Sequence, residues 1–430
     1  MKIQNFNELA TTDARRALLT IAEAGYEAID TTMVLAKTMR LDGNTLTLAD
    51  QTIDLAGVGK IVFIGIGKCA VEAGVFAEGL LGDRIADGVV VDVKPCPPLT
   101  HIKTFMGTHP LPSDENLLAA EAIVAAVTGL TEKDLVVFVI SGGGSTLLFL
   151  PEDKTSREEI PIMQALIDAG ATIREINTIR KHLSYARGGN LAKDAYPARV
   201  ISLIFSDVVG DDPSFIASGP TVRDETTMAD ASAVLAKFDI LKKCNREKCG
   251  LIETPKDDNY FANVSNMLVV SNRHALEAMK TTAERLGLAA EIRGSDLTGE
   301  ADDVGKVIAD AVRAAPPRTA LLWAGETTVT VHNPAGRGGR NLELCASALR
   351  FVSEGEEILS FASDGRDHGE FAGAICDTIT RKAAGDLGVD PETFRAADDT
   401  YGLFEKIGNY VMTGDTGSNV SDLIIGLKFD

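Results

Sequence analysis

Lys60-Ile-Val-Phe-Ile-Gly-Ile-Gly-Lys-Cys-Ala-Val-Glu-Ala-Gly-Val-Phe-Ala-Glu-Gly-Leu-Leu81 decides the fold. Lys60–Ile66 is a glycine-bounded run of apolar, mostly β-branched residues, and Val71–Leu81 has helical composition. The stretch therefore reads as strand, tight turn and helix. Val89–Val93, Asp134–Ile140 and Val200–Phe205 are further buried strands. Between them Ser113-Asp-Glu-Asn116 starts a helix running to about Val127, and Arg174–Lys193 reads as a long helix or one broken at Gly188-Gly189. Val- and Ile-rich strands alternating with helices of about 10–15 residues imply βαβ units and a mostly parallel sheet covered on both faces. The class is α/β, and right-handed crossovers give a Rossmann-like three-layer sandwich.

The chain extends well beyond this sheet. With 430 residues and about 150 residues per domain, two or three domains are expected. Asp13 can cap an opening helix in which Ala17, Ile21, Ala24, Ala28 and Leu35 recur at helical spacing up to Arg40. Lys242–Asn259 is polar and reads as a linker or surface excursion. After it, Met267–Val270, Ala290–Arg293, Thr319–Trp323 and Glu357–Phe361 are new strands. The expected division is a Rossmann-like domain over 1–245 and a smaller α/β domain over 246–430.

Composition excludes several classes. Hydrophobic residues at 45% and charged ones at 24% fit a globular chain. No apolar run approaches the ~20 residues that span a bilayer, and Met1-Lys-Ile-Gln-Asn5 has no signal-peptide layout. Six cysteines without paired spacing fit a reducing compartment, so the cytoplasm is expected. A net charge of −20 argues against nucleic acid and anionic membranes as partners. An anionic substrate then needs a local cluster of cations.

Six segments combine glycine with polar or charged residues at expected strand ends, where open parallel sheets bind ligands. In Gly65-Ile-Gly-Lys68 the glycines admit close backbone approach and Lys68 offers a charge. Cys69 rules out a Walker A loop, and Ala70 stands where a dinucleotide fingerprint needs glycine. Ser141-Gly-Gly-Gly-Ser145 reads as a phosphate-cradling loop. Arg180, Lys181 and Arg187 place three cations on or near one helix, with Lys181 read as part of a solvated face. Asp207 ends a strand, a position suited to Mg²⁺ binding or proton acceptance. Gly336-Arg-Gly-Gly-Arg-Asn341 leads into a helix, so an anion at its N-terminus would meet Arg337 and Arg340 as well. Gly325-Glu-Thr327 belongs with it. Ser363-Asp-Gly-Arg-Asp-His368 is echoed by Thr413-Gly-Asp-Thr-Gly-Ser-Asn419. Zinc is not expected from Cys244 and Cys249, there is no G-x-S-x-G elbow, and Trp323 reads as core. The residues alone point to phosphoryl transfer, which needs positioning and charge neutralisation more than a nucleophile.

Taken in order, Gly65–Lys68, Thr108-His-Pro-Leu-Pro112, Ser141–Ser145, Ile176-Asn-Thr-Ile-Arg180, Ser206-Asp207 with Ser218-Gly-Pro-Thr221, Gly325–Thr327, Gly338-Gly-Arg-Asn341, Ser363-Asp-Gly365 and Thr413–Asn419 resemble the glycerate 2-kinase family. Its C-terminal part is known as the MOFRL domain. The resemblance runs from about residue 10 to residue 428. It implies an active site in the cleft between the domains, ATP with Mg²⁺ or another divalent cation, and transfer of the γ-phosphoryl group to the 2-hydroxyl of D-glycerate. Lys68 and Arg340 match the family's proposed catalytic pair, with Asp207 as a third catalytic candidate. Gly142, Gly143, Gly144 and Ser145 would bind ATP phosphates, and Gly67, Arg180 and Arg337 would hold substrate. Glu326 and Asp364 are the metal candidates, and either, like Asp207, could instead take the hydroxyl proton. Small molecules are the expected partners of a monomer or homodimer.

The rival enzyme is hydroxypyruvate reductase, a label members of this family have carried. The missing third glycine, and no clear acidic residue ending a second strand, argue against its nicotinamide site. A kinase of another small hydroxy acid and a small-anion sensor are the remaining readings.

Overall fold

Buried apolar strands and the helices between them build two units. The computed structural model describes residues 1–429 apart from 154–157, 209 and 247. One compact unit is Val34–Val269; the other is Met1–Met33 with Val270–Asp430.

The Val34–Val269 unit opens with a three-stranded antiparallel meander, β1 Met39–Asp42, β2 Thr45–Leu48 and β3 Gln51–Asp54. Its main sheet holds β4 Ile61–Ile66, β5 Ile85–Asp92, β6 Lys103–Met106, β7 Leu135–Ile140, β8 Arg199–Phe205 and β9 Val264–Val270. The order is β6-β5-β4-β7-β8-β9, with β4 to β8 paired in parallel. Counted from β4, this is the 3-2-1-4-5-6 order of a Rossmann sheet. Every residue of β4 and β7 is buried, as a sheet covered on both faces requires. Helices Ala70–Leu81 and Asp114–Val127 supply part of that cover.

The other unit is a mixed sheet of β10 Ala289–Leu297, β11 Thr319–Gly325, β12 Glu356–Ala362, β13 Gly373–Cys376, β14 Tyr410–Val411 and β15 Asp422–Lys428. The order is β10-β11-β15-β12-β13-β14, and only β10 and β11 pair in parallel. Because β15 runs antiparallel to β11 and β12, its first residue, Asp422, lies level with their last residues, Gly325 and Ala362.

These units differ from the expected division at 245/246. The opening helix Asp13–Ile29 packs with the C-terminal residues: a Cβ on Gly25 would stand 2.8 Å from Met279 Sδ, and Tyr26 donates to Ala362 O at 3.1 Å. Arg15 grips the buried Asp377 through Nε at 2.6 Å and Nη2 at 2.8 Å. Thr12, rather than Asp13, caps this helix, accepting the Arg15 N–H; the helix ends at Ile29, and Thr31–Thr38 forms a separate one. The strand expected at Met267–Val270 is β9, at the edge of the first sheet. The excursion 242–259 is no linker, because Cys244, Cys249 and Leu251 pack on the helical cluster around Ile162, Ile179 and Leu235.

Candidate functional site

In the Rossmann-like sheet the strand order reverses between β4 and β7, and ligands of such sheets bind at the carboxyl ends beside that point. Both glycine loops lie there. The Lys68 N–H donates to Gly142 O at 3.0 Å, and the Cys69 N–H to Ser141 Oγ at 3.2 Å. Gly67 has φ +109°, and a Cβ there would strike Ser141. Side chains at Gly142 and Gly144 would collide with Asp207 and Ala217 respectively, so those glycines also answer to packing. Gly143, with φ +82°, faces the Lys68 stem and His109.

Beside this loop is a pocket of about 190 Å³ lined by Gly142, Gly143, Ser145, Asn177, Arg180 and Asp207, with His109 and Thr146. Arg180 is carried there by helix Ile173–Lys181, whose start is fixed by a Thr172/Glu175 capping box. Asn177 is anchored by its Nδ2, which donates to Ser214 O at 3.1 Å. Ala217, Ser218 and Gly219 follow one another in the left-handed region, at φ +51°, +58° and +59°. Such strain collects at functional sites. The Lys68 ammonium and the Arg180 guanidinium make no ion pair or hydrogen bond with another described residue. Burial, then the charges of Lys68 and Arg180, push His109 below its ordinary pKa and hold it neutral.

The other cations of this segment are structural. Lys181, read as solvated, is buried, because the interior Asp224 carboxylate receives its Nζ at 3.1 Å. Arg187 Nη1 donates to Glu159 at 2.9 and 3.1 Å. A second strand also has an acidic terminus after all: Asp92 ends β5. It is fully buried and accepts from the N–H groups of Val71, Val93 and Lys94, so it presents no carboxylate to a ribose.

In the second unit, Glu326 follows β11, Asp364 follows β12 and Asp422 opens β15. Arg340, first residue of helix Arg340–Ala348, meets Asp422 through Nε at 3.0 Å and Nη2 at 3.3 Å, and Glu326 through Nη1 at 3.1 Å. Burial raises Asp422 to about pKa 7 despite the pull of Arg340. The anion expected at the start of this helix is already present in the chain. The buried Asp367 accepts from the N–H groups of Asn341 at 3.2 Å and Leu342 at 2.8 Å. Gly339 exists for that approach, since a side chain there would collide with the Asp367 carboxyl. Arg337 lies over the Tyr401 ring at 4.5 Å and 3.3 Å from Glu405. A large open pocket of about 980 Å³ is lined by Arg337, Arg340, Asp364, Arg366 and His368 among others.

The sequence-selected residues thus form two sets, one in each unit. Lys68, the 142–145 loop, Arg180 and Asp207 come together; so do Arg340, Glu326 and, along the large pocket, Arg337 and Asp364. Asp422, Asp367 and Asn177 carried no assigned role in the sequence reading, and His109 was visible only inside the Thr108–Pro112 motif. Among the described residues no three His, Cys, Asp or Glu side chains converge as a metal site, and no helix is long and apolar enough to cross a membrane.

Residues 17–252 match a domain of unknown function, DUF4147, and residues 319–422 match the MOFRL family. The glycerate 2-kinase of Pyrococcus horikoshii is 36% identical over 95% of this chain and 97% of its own. A protein of Agrobacterium vitis, whose name gives hydroxypyruvate reductase only provisionally, is 39% identical over 85% and 86% of the two chains. The crystal structure of glycerate kinase from Thermotoga maritima superposes with a TM-score of 0.84 at 33% identity, covering 96% of this chain and 99% of that one.

Proposed function

This chain belongs to the glycerate kinase family, and from that membership we infer that it transfers the γ-phosphoryl group of ATP to the 2-hydroxyl of D-glycerate, giving 2-phosphoglycerate and ADP. The observation that carries the reading is a pair of cations, Lys68 and Arg180, that make no ion pair or hydrogen bond with another described residue in a chain of net charge −20. Cations left unpaired beside a pocket are groups awaiting an anion. At about 190 Å³ that pocket is below the ~300 Å³ at which drug-sized ligands begin to fit, and it suits a three-carbon acid.

Arg180 grips the glycerate carboxylate and Lys68 neutralises the transferring phosphoryl group. Gly142, Gly143, Gly144 and Ser145 offer N–H groups and a hydroxyl to phosphate oxygens. The 2-hydroxyl oxygen attacks Pγ, the bond from Pγ to the bridging oxygen of ADP breaks, and the hydroxyl proton passes to Asp207. Neutral His109 borders the pocket without adding charge. We assign Arg340 to the transferring phosphoryl group as well. A magnesium ion arriving with the nucleotide would be held mainly by phosphate and water, with Asp364, a single carboxylate on the wall of the large pocket, as a protein ligand. Such an ion would neutralise charge on the phosphate oxygens.

The reductase reading lacks support in the structure, because Asp92 stands where the adenosine ribose of a nicotinamide dinucleotide would need a carboxylate and is fully occupied by backbone N–H groups. As a test, Lys68→Ala and Arg340→Ala should each lose at least ~100-fold in rate while remaining folded. Arg180→Ala should raise the glycerate KM more than it lowers kcat. Folded, fully active Lys68→Ala and Arg340→Ala proteins would refute the site assignment.

A further inference from the structure

Arg340 is held by two carboxylates of opposite character. Asp422 is 4% exposed and fixed by strand register beside Gly325 and Ala362. It takes one edge of the guanidinium, with Oδ1 3.3 Å from Nη2 and Oδ2 3.0 Å from Nε. Glu326 has a side chain 43% exposed and reaches Nη1 with Oε2 at 3.1 Å. Its backbone is pinned: the Glu326 N–H donates to Leu297 O at 2.9 Å, and a side chain at Gly325 would collide with Leu297. Only the Glu326 side chain is placed to move.

The charges around Arg340 make that motion necessary. One guanidinium faces Asp422, Glu326 and the nearby Asp367, so once Asp422 ionises, above about pH 7, an arriving phosphate meets a surplus of negative charge. Asp422 cannot withdraw, because it is buried at a strand start, and Asp367 is engaged by the helix N–H groups. A planar guanidinium grips phosphate best through two parallel N–H donors, and Glu326 occupies part of the edge that Asp422 leaves open. A metal role for Glu326 would require it to leave Arg340, and among the described residues no second and third ligand converge with it.

We propose that Glu326 is a built-in stand-in for the phosphoryl group: it holds the open edge of Arg340 in the nucleotide-free enzyme and yields it when phosphate arrives, while Asp422 keeps the guanidinium in place. Glu326 is thus a positioning and selectivity residue. It keeps Arg340 oriented and makes weak anions compete with a carboxylate already there. The inference rests on the assignment of Arg340 to the phosphoryl group.

The test is Glu326→Gln in the full chain, with inorganic phosphate and then ATP titrated calorimetrically at fixed ionic strength, followed by steady-state kinetics. A half-exposed ion pair and the repulsion it exerts predict phosphate and ATP binding about 3- to 10-fold tighter than in the wild type, with a lower KM for ATP. Glu326→Ala should move in the same direction, and Asp422→Asn should weaken phosphate binding. Unchanged or weaker anion binding by both Glu326 variants would overturn the proposal. So would a loss of kcat restored by higher magnesium, which would make Glu326 a metal ligand. If the wild type does not phosphorylate glycerate yet the Gln variant binds phosphate more tightly, the kinase reading falls and the stand-in role survives.

Discussion

Asp367 accepts the Leu342 N–H at 2.8 Å, and with that bond it fills the anion position at the start of the helix that carries Arg340. The helix therefore needs no ligand to complete its N-terminus. Asp367→Ala leaves buried N–H groups unsatisfied, a cost of about 1–3 kcal/mol, and should lower Tm by roughly 3–10 °C. Thermal unfolding with added phosphate then discriminates. A larger phosphate-dependent rise in Tm in the variant than in the wild type is expected if the carboxylate is an internal anion.

Lys181 and Asp224 form a buried pair, so removing one partner strands a charge. Lys181→Met should cost about 3–5 kcal/mol in denaturant unfolding. Burial opposes ionisation of Asp224, but the Lys181 charge and the Thr226 hydrogen bonds outweigh it and hold the carboxyl below the usual range. Its stabilising contribution is then complete above about pH 4 and lost as the pH falls through its folded pKa. The gap between wild type and variant should narrow below about pH 4.

Asp422 behaves in the opposite sense. It binds its proton in the folded protein up to about pH 7, but in an unfolded chain only near the ordinary ~3.9. Lowering the pH from about 8 to about 5 therefore adds stability through this group. Asp422→Asn removes that dependence. The Tm of the variant relative to wild type should be higher at about pH 8 than at about pH 5, measured as a difference so that other groups cancel.

His109 is depressed first by burial and then by Lys68 and Arg180. Lys68→Ala removes one of those charges, so the His109 pKa should rise. An NMR titration of its ring protons checks this, and an unchanged value would show that Lys68 lies too far away to act in the pocket.

Ile61–Ile66 and Leu135–Ile140 are legible because each is a short, almost unmixed apolar run followed by a glycine turn, whereas the mixed Lys103–Met106 strand gives no such signal. The position of the first helix is not legible. The apolar face of Asp13–Ile29 shows that it packs, but not that Met279 and Phe361 are its partners. Glycine loops announce close approach without saying to what: Gly143 faces Lys68, while Gly339 makes room for Asp367 within the chain itself. Lys181 and Arg180 are adjacent in one helix, and the sequence gives no sign that one side chain faces Asp224 and the other the pocket. Asp422 escapes notice because its importance comes from strand pairing with residues about 60 and 100 positions away.

Phosphorylation of the glycerate 2-hydroxyl is tested by ADP release from ATP, Mg²⁺ and D-glycerate, with the product passed to enolase in the presence and absence of phosphoglycerate mutase. ADP release with enolase turnover that does not need the mutase is expected, because the product is 2-phosphoglycerate. ADP release whose product reaches enolase only through the mutase would contradict phosphorylation of the 2-hydroxyl, and no ADP at all would contradict the kinase itself.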